Sequence, residues 1–208
     1  SFTKYFPKIP RETEVLYHVM VGPAVLTFVK ELGEFFGPSS PEIFGFIDCL
    51  EAVDIASPGL EFLEGTYFWE GNPRHVQAEQ SEYDKFFRER GCVDARGASV
   101  SDATDVSTYA HMFGCWETLH VIKAGMEASG YGGPGDRAAL IEAVEAMTDM
   151  PHSNAHPQGA KLFNGKTHQV FGHQCISKVE EGALKLVHTT SIEDTFYPDE
   201  VDYTTQAF

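Results

Sequence analysis

Histidine is the commonest metal ligand in proteins, and this sequence contains nine histidines. Two pairs are closely spaced: His152 with His156, and His168 with His173. A zinc site needs three or four converging ligands with further groups to orient them. Prolines at positions 151 and 157 disfavour a helix through the first pair, and the second pair falls on opposite faces of a strand. We predict surface or hydrogen-bonding roles for these histidines and no metal or cofactor; a metal-dependent hydrolase is the less favoured alternative.

Nucleophilic catalysis has little support in the sequence. There is no G-x-S-x-G elbow, and the glycines at 132, 133 and 135 follow a helical pattern, so they do not form a dinucleotide-binding loop. The four cysteines are scattered without a C-x-x-C pair, at Cys49, Cys92, Cys115 and Cys175. Free buried thiols are the favoured interpretation, and one disulfide stays open for an exported protein. We expect a protein that binds its ligand without covalent chemistry and is not an enzyme.

Asp48 is the carboxylate with the most suggestive position. It follows an apolar strand at 42–47 and precedes a helical stretch that begins near Leu50. Ligands of open α/β sheets bind at the carboxyl ends of the strands, where a carboxylate can accept a charge-assisted hydrogen bond from an ammonium or amide group. Asp48 also suits the cap of the following helix, and its position is consistent with either role.

Three short apolar runs alternate with helical patterns in the first third of the chain. The runs at 14–21, 42–47 and 63–69 predict strands, and Val25, Leu26, Phe28, Val29, Leu32, Phe35 and Phe36 recur at helical spacing between the first two. Strands that alternate with helices in this way are typical of a parallel sheet with right-handed crossovers. The sequence therefore predicts an α/β fold.

The pattern changes after residue 70. Helices are predicted at 77–90, 104–129 and 137–147. The longest carries an apolar stripe that includes Tyr109, Met112, Phe113 and Trp116, and we expect this stripe to pack into a core. Residues 169–179 and 183–189 predict paired strands around Glu181-Gly182, and Asn164-Gly165 suggests a tight turn.

The overall charge narrows the choice of partners. A net charge of −16 and a pI near 4.8 disfavour nucleic acid and anionic membranes. No stretch approaches the ~18 apolar residues needed for a membrane span, so direct membrane insertion is not expected. The start lacks both an initiator Met and an apolar signal region, which indicates a processed or trimmed chain and does not argue against export.

The order of these pieces resembles a known family. The run from Val15 through Gly22-Pro23, then Ile43-Phe-Gly-Phe-Ile-Asp48, then Leu63-Glu-Gly65, is similar to the second lobe of leucine/isoleucine/valine-binding proteins. The segment 106–110 resembles the start of the helix that returns to the first lobe. His156-Pro-Gln-Gly159 with its following hairpin is similar to the closing segment of the amide- and urea-binding branch.

This resemblance implies a type I periplasmic solute-binding fold with two lobes, the first incomplete in this chain. By analogy, 1–70 is an α/β segment of the second lobe, 71–165 returns to the first lobe, and 166–208 closes the second. The implied function is capture of a small polar ligand, such as an amino acid, amide or urea, for an ABC-transporter permease from the periplasm. A cytoplasmic amide-sensing regulator of the same fold is the alternative.

The resemblance also implies ligand-binding positions. Asp48 falls where the family places an acidic residue on the ligand's amino group, and Thr104 and Asp105 fall on a loop that lines the cleft. Val21 and Gly22 fall where branched-chain amino acid binders have an aromatic contact. Their small or aliphatic side chains depart from that pattern.

Overall fold

The computed structural model describes residues 1–22, 24–46, 55, 57–71, 82–91 and 109–206. Two sheets and four α-helices lie within these ranges. In chain order the longer elements are β1 (Val15–His18), α1 (Ala24–Phe36), β2 (Glu42–Phe46), β3 (Tyr67–Glu70), α2 (Glu82–Gly91), α3 (Tyr109–Ser129), α4 (Arg137–Glu145), β4 (Asp149–Met150), β5 (Lys161–Asn164), β6 (Gln169–Gly172), β7 (Cys175–Glu180) and β8 (Ala183–Thr189).

The larger sheet has five strands in the order β1-β2-β3-β7-β8. β1, β2 and β3 are parallel neighbours, while β7 and β8 join the sheet antiparallel beyond β3. The parallel α/β arrangement predicted for the first three strands is confirmed. β1 is shorter than predicted, and β3 begins at Tyr67 because residues 61–63 form a turn of 3₁₀-helix.

α1 forms the main core of the protein against one face of this sheet. Its buried positions recur every three or four residues, which places them along one side of a helix. They are Val25, Phe28, Val29, Leu32 and Phe36. Ile43, Phe68, Val179 and Leu184 belong to the same buried cluster and come from four different strands. Burial of this apolar surface is the main stabilising contribution to this part of the fold.

A second, smaller cluster joins the helices that follow. Tyr83 and Phe87 of α2 pack with Phe113 of α3, and Trp116 stacks on Tyr83 with ring centroids 4.2 Å apart. Farther along α3, Gly125 faces Leu140 and Val144 of α4. α3 is therefore packed on two sides by neighbouring helices.

The apolar residues of α3 do not all enter the core as predicted. Phe113 is fully buried and Trp116 half-buried, but Met112 is 43% exposed, so the prediction that Met112 packs into a core is wrong. The side chain of Tyr109 lies outside the described part of the chain. Leu119, Ile122 and Met126 are exposed as well. Two different faces of the helix carry apolar residues, and the side chains on one of them are exposed.

The C-terminal strands differ in one respect from the prediction. The expected pairing around Glu181-Gly182 is confirmed, with both residues at positive φ, as a tight hairpin turn of type I′ requires. The single strand predicted at 169–179 is wrong, because it splits at His173-Gln174. β6 pairs with β5 in the three-stranded sheet, and β7 pairs with β3 in the larger sheet.

Candidate functional site

The carboxyl ends of β1, β2 and β3 meet at one edge of the larger sheet, as parallel pairing requires. Open α/β sheets bind their ligands at this edge. Val21 and Gly22 lie on the loop that leaves β1. Asp48, Thr104 and Asp105 lie outside the described residues, so their predicted ligand contacts stay predictions.

The loop after β1 is open and leads directly into α1. Val21 is 62% exposed, and Gly22 has φ +82° with no atom within 4 Å of the place where a Cβ would stand. The Gly22 carbonyl accepts a hydrogen bond from the Val25 N–H at 3.1 Å, which starts the helix. A glycine suits this position because L side chains rarely adopt such a backbone conformation. Val21 is thus accessible to a ligand at the sheet edge.

His18 ends β1 beneath this loop, on the face of the sheet that carries α1. Its ring lies on Gly45 of the neighbouring strand, where a Cβ would collide with Nε2. Neither ring nitrogen has a hydrogen-bond partner among the described residues, and burial lowers the pKa of the imidazole. His18 is therefore held as a neutral ring in a gap that exists because residue 45 has no side chain.

The opposite face of the sheet carries a row of aromatic rings close to the same edge. The rings of Phe46 and Trp69 lie 4.6 Å apart, and Trp69 Nε1 donates a hydrogen bond to the Tyr17 hydroxyl at 3.1 Å. Tyr17 also packs on Phe44. These contacts orient the last residues of all three parallel strands.

A buried ion pair joins α3 to the start of β5. Lys161 Nζ lies 2.8 Å from Oε2 of Glu117, and the two side chains are only 15% and 8% exposed. The Gln158 N–H donates to Glu117 Oε1 at 2.8 Å, and Lys161 also donates to the Gly159 carbonyl at 3.1 Å. Each charge is thus paired and hydrogen-bonded, which a buried ion pair requires.

His156 and His173 lie close to this ion pair. Together with Glu117, Gln158 and Lys161 they form a group that we term the junction cluster. Burial is the main cause of a lowered pKa at His156 and at His173. At both rings Lys161 lowers the pKa further, while Glu117 opposes it. The cluster therefore favours neutral imidazoles beside one compensated ion pair.

The junction cluster contacts the two places where the chain passes between the larger sheet and the other elements, after β3 and before β7. Gln158 lies beside Gly71, the residue after β3, with its Oε1 3.6 Å from where a Cβ would stand. The His173 ring, just before β7, presses on Gly159, where a Cβ would collide with the ring; Gly159 has φ +108°. A cavity of about 340 Å³ opens beside Glu117, His156 and Lys161. The cluster thus connects both passages to α3.

The four histidines considered for a metal site do not all lie together. His168 pairs with Glu145 at 2.7 Å and stacks on Tyr203, away from the ion pair of the junction cluster. Within the described ranges, no group of three His, Cys, Asp or Glu is placed to hold a metal ion. Of the described helices, none is both long and apolar enough to cross a membrane.

The cysteines agree only in part with the expectation of free buried thiols. Cys175 is free and buried, whereas Cys115 is free but exposed on α3, so the expected burial is wrong for Cys115. Cys49 and Cys92 lie outside the described residues.

Sequence reasoning missed Glu117 and Lys161, although both are central to this site. One available signal was a glutamate between Phe113 and His120 in a helix with apolar residues on several sides. A charge in that setting needs a partner. The partner lies 44 residues away, and the sequence does not specify which lysine it is.

The buried histidines predict a loss of stability in mild acid. The pKa values of His18, His156 and His173 are lowered in the folded state, so the unfolded chain binds protons first as the pH falls. Their contribution is complete above the unfolded pKa of about 6.5 and is lost as the pH falls from there through the lower pKa values of the folded state. We expect the urea midpoint to fall between pH 7.5 and pH 5.5, roughly the histidine range.

A variant with His18→Leu tests the origin of this effect. Leucine fills the space over Gly45 with an apolar side chain that cannot be protonated. The urea midpoint of this variant should therefore fall less steeply between pH 7.5 and pH 5.5. Equal pH dependence in the variant and the parent protein would rule out a contribution from His18.

Comparison with known proteins was made on sequence and on structure. No family model matches the sequence, and no curated protein matches it. A solute-binding protein of an ABC transporter from R. palustris, solved with 4-hydroxybenzoate, matches with a TM-score of 0.66 and 16% identity over 92% of this chain and 49% of that one. A leucine-binding protein from Thermotoga maritima gives 0.68 and 11% over 93% and 49%.

A third solved structure is the leucine-, isoleucine-, valine-, threonine- and alanine-binding protein from Brucella ovis, with a TM-score of 0.62, 15% identity and coverage of 95% of this chain and 48% of that one. The chain spans about half the length of these structures. At these identities the similarity is one of fold. The predicted fold is confirmed: the chain has about half of the type I periplasmic-binding-protein fold found in solute-binding proteins of ABC transporters, with one lobe incomplete.

Proposed function

We propose that this chain forms one side of the ligand cleft of a solute-binding protein, which captures a small polar ligand such as an amino acid, amide or urea and delivers it to an ABC-transporter permease. The protein works in the periplasm and makes or breaks no covalent bond in its ligand. The observation that carries this proposal is the fold match over nearly the whole chain to solute-binding proteins.

The geometry of the sheet edge supports this function. The loops after parallel strands are the general ligand-binding position of open α/β sheets, and the loop at Val21 and Gly22 is open to a ligand there. A polar ligand held between two lobes loses contact with water, so every buried charge on it needs a partner. Asp48 is the proposed partner for a ligand ammonium or N–H group.

Hinge closure is the proposed mechanism of capture. The junction cluster lies where the chain passes between sheet and helices, and it connects both passages to α3. Bending of the passages would then be limited by the buried Glu117–Lys161 pair. The division of the chain into 1–70, 71–165 and 166–208 remains a prediction of the same scheme.

Ligand identification tests the proposal directly. The protein is purified from its source under native conditions and denatured, and the released small molecules are identified by mass spectrometry. An amino acid or amide released in equal amount to the protein supports the proposal. Cell fractionation separates the periplasmic function from the alternative, a cytoplasmic amide-sensing regulator.

An aromatic acid is a second candidate ligand, favoured by the R. palustris structure solved with 4-hydroxybenzoate. Such a ligand has no ammonium group for Asp48 to bind. The charge of Asp48 should therefore strengthen the binding of an amino acid and should not strengthen the binding of an aromatic acid.

Asp48→Asn separates the two ligands. Asparagine keeps the capping ability and removes the charge, so binding of L-leucine is expected to weaken by about 1.5–3 kcal/mol, the size of a charge-assisted hydrogen bond. Titration calorimetry on the protein from its source, with L-leucine and 4-hydroxybenzoate as probes, gives the measurement. Glu34→Gln, an exposed acid-to-amide change on α1, is the matched control. Unchanged affinity for leucine in Asp48→Asn would remove the ammonium contact and leave Asp48 as a helix cap.

A further inference from the structure

A cavity of about 530 Å³ lies between the end of α4, the hairpin of β5 and β6, and the C-terminal segment at 191–206. We call it the tail cavity. None of its lining residues belongs to the larger sheet, so it is separate from the sheet edge where we place the ligand of the proposed function. Its volume lies within the range of small-molecule sites, roughly 300–1,000 Å³. Its aromatic and acidic lining residues are Glu145, Phe163, Phe171, Phe196, Tyr197 and Asp199.

The aromatic rings of the tail cavity support one another. Phe171 is buried in β6, and the rings of Phe196 and Tyr197 lie 5.0 and 5.2 Å from it in edge-to-face contacts. Phe196 and Tyr197 nevertheless stay 49% and 51% exposed. Half-exposed rings that are held in place offer a ligand both apolar surface and the negative face of a π system.

The C-terminal segment is attached to the hairpin at two further places. The side-chain amide of Asn164 donates a hydrogen bond to Asp199 at 2.6 Å. The Tyr203 N–H donates to the Lys166 carbonyl at 2.7 Å, and the Tyr203 ring stacks on His168. These contacts form the wall of the cavity without any help from a ligand. Such preorganisation lowers the cost of binding.

The tail cavity carries more negative than positive charge. Within the described chain, Asp199 has no ion-pair partner, and its hydrogen bond comes from the neutral amide of Asn164. Glu145 lies 2.7 Å from His168 Nε2. Lys166 also lines the cavity, but it is exposed and forms an ion pair with neither carboxylate. An exposed lysine keeps its ammonium group in water, so the charge of Asp199 is available to a ligand.

We propose that the tail cavity binds a small organic cation with an aromatic or apolar body, such as a protonated arylalkylamine. The ammonium group donates a charge-assisted hydrogen bond to Asp199, and the rings of Phe196 and Tyr197 attract the same cation. An anionic ligand would meet Asp199 as a like charge, and the net charge of −16 also repels it. The tail cavity is separate from the sheet edge, so this site does not depend on the proposed function.

Three probes that share one ring and differ in charge test the ligand class. Benzylamine is a cation at pH 7, benzyl alcohol is neutral and benzoate is an anion. Titrations of the protein from its source, followed by ligand-observed NMR, give the dissociation constants. Benzylamine should bind about tenfold more tightly than the other two, because it alone forms the charge-assisted hydrogen bond. Equal or tighter binding of benzyl alcohol or benzoate, or no binding of benzylamine, would overturn the proposal.

Asp199→Asn tests the location of the site. Asparagine keeps an oxygen that accepts from the Asn164 amide and removes the charge, so benzylamine should bind about tenfold more weakly while benzyl alcohol is unaffected. Glu193→Gln is the matched control, because Glu193 is exposed on the same segment and does not line the cavity. Asp48→Asn should also leave benzylamine binding unchanged. Weakening by Asp48→Asn but not by Asp199→Asn would place the amine at the sheet edge and contradict a site in the tail cavity.

Chymotrypsin gives a second measurement of where benzylamine lies. This protease cleaves next to large apolar side chains, and the bond between Phe196 and Tyr197 lies in the wall of the cavity. At a benzylamine concentration equal to the dissociation constant, cleavage of this bond should slow about twofold, since half of the protein is then occupied. Cleavage of Asp199→Asn at the same concentration should slow much less. Equal slowing in both proteins would indicate inhibition of the protease and refute protection by a ligand in the tail cavity.

Discussion

Lys161→Met is expected to lower the free energy of unfolding by about 3–5 kcal/mol, the usual cost of leaving one member of a buried ion pair without its partner. Glu117 is only 8% exposed on its side chain and would keep a charge with one remaining hydrogen bond, from the Gln158 N–H. Urea unfolding followed by circular dichroism gives the measurement. The midpoint should shift while the slope stays constant.

Two further variants identify the cause of this loss. Lys161→Met combined with Glu117→Gln removes the unpaired charge and keeps an acceptor for the Gln158 N–H, so most of the stability should return. Lys185→Met breaks an exposed pair with Glu181 and should cost about 0–1 kcal/mol. If Lys161→Met costs no more than Lys185→Met, the pair in the junction cluster is not effectively buried.

Phe68→Ala is expected to cost about 3–5 kcal/mol, because it removes a large ring from a well-packed interior. Phe68 is 0% exposed in β3 and belongs to the cluster in which α1 packs on the sheet. Strands on both sides hold the backbone in place, with Gly45 on one neighbour and Ser177 on the other, so little collapse into the cavity is expected. Chemical unfolding is again the measurement.

Phe86→Ala is the matched control, since it makes the same deletion at a ring that is 49% exposed on α2. Its cost should be about 1 kcal/mol or less, mainly the loss of contact with Arg90. Comparable costs at Phe68 and Phe86 would contradict the assignment of the main core to the α1 face of the sheet.

The elements near the N-terminus were predictable because each one is encoded locally. Apolar runs of six to eight residues between helical patterns predict parallel strands, and β1, α1, β2 and β3 follow in that order. Local periodicity and turn residues are properties of neighbouring positions, so a single sequence contains them.

Which strand pairs with which is not encoded locally in the sequence. Residues 169–179 have the composition of one strand, yet β6 and β7 belong to two sheets, because separate surfaces compete for them. The candidate site shows the same limit, since Glu117 and Lys161 meet across 44 residues. Asp48 could be proposed from its place after a strand, whereas the junction cluster could not be proposed from any spacing.

The sequence by itself determined the α/β class, the succession of elements from β1 to β3 and the edge of the sheet where we propose that a ligand binds. Only the tertiary structure decided which charges are paired, which histidines are buried and which face of α3 stays uncovered. The physical reason is that burial and pairing depend on contacts between residues far apart in the chain. Phe113 and Leu119 lie in the same helix and are both apolar, and the arrangement of α2 and α4 around that helix leaves one buried and the other in water.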